Sequence, residues 1–297
     1  MIIEKKAGDR MKINWYPGHM KKTKELLKKN LKLIDIVFEL LDARIPISSK
    51  NPEIDKIIGN KPRIVILNKA DLSNKDINTK WIEYFNSKNI PIVLTNAANN
   101  KGIDKIIKKS NEIMKDRIEA LRKKGIKNKP IRSMIVGIPN VGKSTLINAL
   151  AGKKRAKTGN KPGVTKGKQW IKLRGNLELL DTPGILWPKF DDERVGLNLA
   201  FTGAIKDEII DTETLALRLI ERLIEISPEK LENRYNVEIS DKTGLQVLDD
   251  IAVKRGCIVS GGEVDYTRVA HLILDEFRKG IIGKITLEEP NQIEGTF

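Results

Sequence analysis

A glycine-rich segment, GIPNVGKS at 137–144, follows an apolar run and precedes the helix-forming run TLINALAG. This is the pattern of a phosphate-binding P-loop, in which backbone N–H groups close around phosphates at a helix N-terminus. In such loops the lysine, here Lys143, bridges the β- and γ-phosphates during catalysis, and the hydroxyl that follows, here Ser144, ligates Mg²⁺. The predicted nucleotide-binding residues of this loop are Asn140, Val141, Gly142, Lys143, Ser144 and Thr145.

The segment DTPG at 181–184 offers further groups to the same phosphates and metal. It follows the apolar run NLELL, so the Asp181 carboxylate can reach Mg²⁺ through water while the Gly184 N–H meets the γ-phosphate. Between this segment and the P-loop, Thr165 stands where the first switch loop of a GTPase gives a second hydroxyl to Mg²⁺. The alternative interpretation is that Thr165 is an ordinary loop residue.

The segment NKAD at 68–71 closes an apolar run and can specify the base. The Asp71 carboxylate can accept hydrogen bonds from N1–H and the 2-amino group of guanine, while Asn68 and the stem of Lys69 frame the ring. Adenine offers no such pair of donors, so an unpaired buried carboxylate would disfavour ATP by a few kcal/mol. The predicted ligands are therefore GTP and GDP.

A second base-binding element, NAA at 96–98, follows the apolar run PIVLT. Its predicted nucleotide-binding residues are Asn96 and Ala97, with the Ala97 N–H directed to the guanine carbonyl oxygen. Both base-binding elements precede the P-loop, whereas in most GTPases they follow it. A compact domain tolerates such a rotation because its chain termini often lie close together. The order predicts a circularly permuted GTPase domain in which residues 111–130 join the two halves.

Six apolar runs are the predicted strands of a mostly parallel sheet, because most are separated by helix-like stretches. The last two are parted only by Gly175 and Asn176, which predicts an antiparallel hairpin. The runs are 33–43, 63–68, 91–96, 132–137, 168–175 and 176–181.

The predicted fold class is α/β. It places a P-loop GTPase domain with a basic N-terminal helix at 1–200 and a small all-helical domain, a candidate for RNA binding, at 201–297. The predicted helices of the second domain are 206–226, 243–254 and 265–279.

The net charge changes sign along the chain. Residues 1–184 carry 41 Lys and Arg against 17 Asp and Glu, whereas residues 185–297 carry 14 against 22. The basic first part predicts a polyanionic partner. The alternative, a Lys- and Ile-rich proteome bias or a thermophile's charged surface, does not predict the reversal. No apolar run is long enough to span a membrane and the first ten residues are charged, so we expect a cytoplasmic protein without a membrane partner.

Three further segments, WYPGHM at 15–20, LDARIP at 41–46 and SSKNP at 48–52, together with the permuted motifs resemble the YlqF/RbgA family of circularly permuted GTPases. The resemblance covers residues 13 to about 200 closely. It implies a GTPase that acts on rRNA in assembly of the large ribosomal subunit. Such a protein binds the immature particle with GTP and leaves after hydrolysis, which the ribosome and potassium stimulate. No DNA partner is expected.

Ile185 stands where many GTPases place a glutamine that orients the attacking water, and an aliphatic side chain cannot do this. The resemblance assigns the role to the histidine of the PGHM motif, here His19. The alternative is that His19 only packs or caps. Asn140 occupies the P-loop position that resembles the potassium-coordinating asparagine of related potassium-dependent GTPases, so the expected cofactors are Mg²⁺ and K⁺.

Two other functions fit the same motifs. One is a nucleotide-gated RNA-binding scaffold in which hydrolysis has no role. The other is a tRNA-modification GTPase, which shares the asparagine-containing P-loop but has the unpermuted motif order and a second catalytic motif that is not found here.

Overall fold

Six strands form one sheet in the computed structural model, which describes residues 20–152, 170–180 and 192–292. The strands are β1 (Ile36–Asp42), β2 (Arg63–Asn68), β3 (Ile92–Leu94), β4 (Ile131–Val136), β5 (Trp170–Lys172) and β6 (Leu177–Leu180). Their order across the sheet is β3-β2-β1-β4-β6-β5, and of these six only β5 runs antiparallel to its neighbour. The predicted six-stranded, mostly parallel sheet is confirmed.

Helices cover both faces of this sheet, as a parallel sheet with buried apolar strands requires. They are α1 (Met20–Leu31), α2 (Glu53–Ile58), α3 (Lys75–Ser87), α4 (Ile103–Ile113), α5 (Lys115–Lys123) and α6 (Lys143–Ala151). All seven residues of the central strand β1 are buried.

Two apolar clusters on one face of β1 fix the helices there. The first packs Val37 and Met134 against Leu27 of α1 and Ile54 of α2. The second packs Leu41 of β1 and Leu67 of β2 against the aromatic side chains of α3, Trp81 and Phe85.

The antiparallel hairpin of β5 and β6 turns at Gly175 and Asn176, as the sequence predicts. Both residues have positive φ, 70° and 59°, which is the conformation that tight hairpin turns need and that glycine and asparagine tolerate best. The Leu173 N–H donates to the Leu177 carbonyl (2.9 Å) and closes the turn.

Residues 192–287 form a separate helical unit. Its helices are α7 (Glu193–Phe201), α8 (Thr212–Ile226), α9 (Pro228–Tyr235), α10 (Gly244–Lys254) and α11 (Tyr266–Lys279). The predicted helix at 206–226 begins later, at Thr212, because the Asp211 carboxylate caps α8 by accepting from the Thr214 N–H (3.2 Å). The predicted start at Thr243 is matched by a capping box between Thr243 and Gln246.

A buried carboxylate ties three helices of this unit together. Glu276 of α11 accepts from Arg234 of α9 at 2.8 and 2.5 Å and from Arg255, just after α10, at 2.6 Å. Burial would raise the pKa of Glu276, but the hydrogen bonds from both arginines lower it to about 2.

The two units divide the chain differently from the expected boundary at residue 200. Helix α7 belongs to the helical unit, where it packs on α8, and residues 288–292 belong to the GTPase unit. Among the described residues, no helix combines the length and apolar character needed to cross a membrane.

Candidate nucleotide-binding site

The carboxyl ends of β1, β2, β3 and β4 meet at one edge of the sheet, the C-terminal edge, because these strands run parallel. In open α/β sheets this edge is where ligands bind. The P-loop follows β4, the NKAD segment closes β2, and the NAA segment follows β3. The fold thus brings both base-binding elements and the P-loop, far apart in the sequence, to one place.

Two glycines give the P-loop its shape. A Cβ on Gly137 would lie 2.6 Å from the Leu40 carbonyl oxygen of β1. Gly142 has φ 100°, and a Cβ there would collide with the side-chain amide of Asn68. Only glycine allows the loop to run this close to β1 and β2 before α6 begins at Lys143.

The Lys143 ammonium lies inside the loop, where it donates to the carbonyls of Gly137 (3.0 Å) and Ile138 (2.8 Å). Burial lowers the pKa of Lys143 to about 8. The group is therefore a cation held by neutral acceptors, and an anionic phosphate would stabilise its charge. Ser144 and Thr145, which form the first turn of α6, are half-buried beside it.

Asn68 connects three loops of the site. Its Nδ2 donates to the Val141 carbonyl of the P-loop (2.9 Å), and its Oδ1 accepts from the Thr95 hydroxyl and the Ala97 N–H (both 3.1 Å). The sequence predicts that Asn68 frames the guanine ring and that the Ala97 N–H meets the guanine carbonyl oxygen. In the structure that N–H already donates to Asn68, so a bound base would share the donor.

Asn96 shapes the loop that carries Ala97. Its side-chain oxygen accepts from the Asn99 N–H (3.1 Å) and caps the short 3₁₀ turn at Ala97–Asn99. Asp71, by contrast, is exposed just beyond β2, where its carboxylate is accessible to a base.

A charged cluster at the end of β1 has no counterpart among the sequence predictions. The buried Asp42 carboxylate accepts from the Arg44 guanidinium at 2.9 and 2.7 Å and pairs with Lys69 Nζ of the NKAD segment at 3.0 Å. Burial opposes ionisation of Asp42, but the charges of Arg44 and Lys69 hold its pKa well below the usual range. The sequence signal that could have indicated this cluster is a charged pair, Asp-Ala-Arg, at the end of a largely apolar strand.

The loop after β1 is also held by a residue near the end of the chain. The Glu288 carboxylate accepts from the Ile47 N–H (2.7 Å), the Ser48 N–H (3.1 Å) and the Ser48 hydroxyl. The adjacent Ser49 hydroxyl accepts from the Asp42 N–H (3.0 Å). A side chain 240 positions away from Ser48 thus stabilises the loop that positions Asp42, and nothing in the local sequence indicates it.

Four predicted site residues, His19, Thr165, Asp181 and Gly184, lie outside the described residues, as does Ile185. Of the predicted Mg²⁺ ligands, only Ser144, at the start of α6, lies within the described residues. A hydroxyl oxygen at this position suits a hard divalent cation.

A P-loop, a guanine-type NKAD segment and a permuted order on one α/β sheet define a circularly permuted GTPase. A family model described as 50S ribosome-binding GTPase matches residues 132–249. The chain is 50% identical over 285 residues to ribosome biogenesis GTPase A of Priestia megaterium, covering 96% of this chain and 99% of the relative. It is 32% identical over 281 residues to the Thermotoga maritima protein of the same name, covering 95% and 96%.

A solved structure agrees with these relatives. GNP-bound YlqF from T. maritima is similar with a TM-score of 0.63 and 29% identity, over 92% of this chain and all of that one. The chain belongs to the ribosome biogenesis GTPase A (YlqF/RbgA) family, and it is a GTPase of ribosome assembly. The predicted family, fold and enzyme class are confirmed.

Proposed function

We propose that this GTPase serves assembly of the large ribosomal subunit. It binds rRNA of the immature particle in the GTP state and leaves after hydrolysis, in the cytoplasm. The observation that carries the proposal is the assembled site, in which Asn68 joins base-binding and phosphate-binding loops, on a chain that matches ribosome biogenesis GTPase A over nearly its whole length.

The predicted site residues would bind the nucleotide in the following roles. Asp71 would select guanine, and the P-loop N–H groups and Lys143 would hold the phosphates. The Ser144 hydroxyl, Thr165 and, through water, Asp181 would hold Mg²⁺. A bound Mg²⁺ supplies positive charge that offsets the charge developing on the phosphate oxygens. We include Asn140 as a ligand of K⁺, which would add a second cation beside the same phosphates.

Lys143 acts on the reaction through its position. Its ammonium already lies within the loop, so phosphate oxygens can replace the carbonyls of Gly137 and Ile138 without moving the lysine far. Donors placed in advance where negative charge develops are the main source of catalysis in phosphoryl transfer. The resemblance of the PGHM segment to that of the family assigns orientation of the attacking water to His19, a role that the aliphatic Ile185 cannot fill.

Charge supports RNA as the partner. The basic excess lies in residues 1–184, the part that forms most of the GTPase unit, while residues 185–297 carry an acidic excess. Phosphate neutralisation by Lys and Arg supplies most non-specific affinity for nucleic acid. The GTPase unit is therefore the main RNA-binding part, ahead of the helical unit.

The direct test is cosedimentation with purified immature large-subunit particles in the presence of a non-hydrolysable GTP analogue, GDP or no nucleotide. We expect binding with the analogue, release with GDP, and weaker binding as salt rises. Equal binding in all three nucleotide states would contradict the proposal that binding to the particle requires GTP. Binding only to small-subunit particles would mean that the partner is the small subunit and not the large one.

A further inference from the structure

Positive charge also collects at the opposite edge of the sheet, where the parallel strands begin. Three segments contribute: the end of α1 at 28–33, α5 with its extension at 115–129, and the β5 end at 172–174. We call these residues the basal surface. Its charged groups lie far from the P-loop in space, since β4 alone spans about 20 Å at 3.3 Å per residue.

Contacts of the described residues join α5 and its extension to the chain just after α1 and to the turn just after β5. The Asp35 N–H, just before β1, donates to the Arg132 carbonyl of β4 (2.7 Å), and the Arg117 guanidinium of α5 pairs with the Asp35 carboxylate (2.6 Å). The Asn176 side-chain amide at the hairpin turn donates to the Lys129 carbonyl (3.2 Å). The three segments therefore adjoin one another at this edge of the sheet in the GTPase unit.

The stretch 122–129 is the most strongly charged part. It reads RKKGIKNK, with five basic residues and no acidic one, and every residue in it is exposed. Backbone hydrogen bonds hold the turn in its middle: the Gly125 N–H, at φ 82°, donates to the Arg122 carbonyl (2.9 Å) and the Ile126 N–H donates to the Leu121 carbonyl (3.0 Å). This stretch lies within the connection between the two permuted halves.

Helix α5 has no buried residue. Ile118 and Leu121 are half-buried and the other residues of the helix are exposed, so most of the helix faces solvent and its polar composition suits a partner. Asp116 and Glu119 moderate the charge of the first two turns, so the positive charge is concentrated in the last turn and the residues that follow it. The exposed apolar side chains nearby are isolated ones such as Ile126, too few for the continuous apolar face that a membrane-binding helix inserts.

We propose that the basal surface binds the phosphate backbone of ribosomal RNA. This inference deepens the proposed function and rests on it. Because the surface and the nucleotide site occupy opposite edges of one sheet, the GTPase can hold RNA at one edge while nucleotide binds and is hydrolysed at the other. Removing charge from the basal surface should therefore weaken RNA binding and leave nucleotide binding intact.

The test compares two triple variants of the full chain with equal change of charge. The basal variant carries Arg122→Gln, Lys123→Gln and Lys124→Gln, since glutamine retains helix propensity. The control carries Lys75→Gln, Lys80→Gln and Lys88→Gln, three exposed lysines on and just after α3. Both are tested against purified large-subunit rRNA by filter binding at several salt concentrations, and for GTP affinity and intrinsic hydrolysis.

We expect the basal variant to bind rRNA at least about tenfold more weakly, with a salt slope reduced by roughly 0.7 to 0.9 for each phosphate that the variant no longer neutralises. Its GTP affinity and intrinsic rate should equal those of the unsubstituted protein, and the control should bind rRNA within about twofold of it. Unchanged rRNA binding by the basal variant, or an equally weakened control, would overturn the inference.

Two further measurements distinguish this inference from the proposed function and from binding to a membrane surface. Failure of the unsubstituted protein to bind immature particles in any nucleotide state would contradict the proposed function, while the rRNA comparison would still decide the basal surface. Vesicles of phosphatidylglycerol test the other polyanion. If the basal variant binds vesicles more weakly but rRNA as well as before, a membrane surface would replace RNA as the partner.

Discussion

The Asn68 side-chain amide donates a 2.9 Å hydrogen bond to the Val141 carbonyl and thereby joins the base-binding segment to the P-loop across 73 positions of the chain. The same side chain accepts from the Ala97 N–H at 3.1 Å. These contacts depend on where loops lie in space and not on their order along the chain. A permutation that moves the P-loop behind the NKAD segment can therefore leave the site intact.

Replacing Asn68 should weaken nucleotide binding by disconnecting these loops. Asn68→Ala leaves the buried Ala97 N–H and Val141 carbonyl without their partner, a cost of about 1 to 3 kcal/mol per group. We expect GTP and GDP affinity to fall about tenfold to a hundredfold, measured by equilibrium titration. Asn86→Ala, an exposed asparagine on α3, is the control and should bind as the unsubstituted protein does.

Guanine selection should depend on Asp71. Asp71→Asn exchanges an acceptor for a donor, so the preference should move from guanine toward xanthine nucleotides, which carry an oxygen in place of the 2-amino group. Competition between GTP, XTP and ATP measures it. Equal affinity of the unsubstituted protein for ATP and GTP would show that NKAD is not the base-specifying element.

Nucleotide affinity should decrease above about pH 8. Burial lowers the pKa of Lys143 to about 8 in the free protein, and a bound phosphate favours the protonated form. Affinity is therefore complete below that pKa and is lost as pH rises through it, by up to about tenfold per pH unit. Titrations with a fluorescent GDP analogue from about pH 6.5 to 9 test this.

Lys143→Arg provides the comparison, because a guanidinium does not titrate in this interval. If the variant binds nucleotide, its affinity should change less with pH than that of the unsubstituted protein. A flat pH response of the unsubstituted protein would mean that the lysine is already protonated throughout, and that burial does not lower its pKa.

Stability should depend on Glu288 much more than on its neighbour Glu289. Glu288→Ala leaves the Ile47 and Ser48 N–H groups without their acceptor, so we expect the GTPase unit to lose about 1 to 3 kcal/mol of unfolding free energy. Glu289 pairs with exposed Lys80 at 2.9 Å, and such pairs contribute about 0 to 1 kcal/mol. Thermal unfolding of both variants, with and without GDP, measures the difference. Equal effects would contradict the assigned role of Glu288.

The sequence predicts the sheet well because its strands are apolar runs that end at motifs. The hairpin follows from Gly175-Asn176, and the P-loop from glycines whose positions admit no Cβ. The predicted helix at 206–226 starts too early, because its apolar pattern continues through residues whose backbone forms a 3₁₀ turn before the Asp211 cap. Local patterns thus locate most elements, but they miss helices α7 and α9 and misplace the start of α8.

Contacts between distant segments are the part that local patterns cannot provide. Asp42 and Lys69 lie at the ends of different strands, and their ion pair exists only because β1 and β2 are neighbours. Glu288 is separated from Ser48 by 240 positions and follows the helical unit along the chain. The sequence predicts Asn68 at the nucleotide site, while its connection to Val141 requires the fold.

Hydrolysis should depend on His19 without comparable effect on binding. We expect His19→Ala to lower turnover at least about tenfold while nucleotide affinity stays within about threefold, as for a group used only in the transition state. Single-turnover phosphate release and GDP titration on the same preparation separate the two quantities. Normal hydrolysis by the variant in the presence of particles would contradict a catalytic role for His19 and would favour the alternative that it only packs or caps.

The measurement that most directly tests coupling of this GTPase to ribosome assembly is the rate of GTP hydrolysis with and without immature large-subunit particles, in potassium and in sodium. We expect a rate at least about tenfold higher with particles, equivalent to about 1.4 kcal/mol of added transition-state stabilisation. Small-subunit particles and ATP should give no such rise, and potassium should exceed sodium. A hydrolysis rate that large-subunit particles leave unchanged in both salts would contradict a GTPase coupled to ribosome assembly.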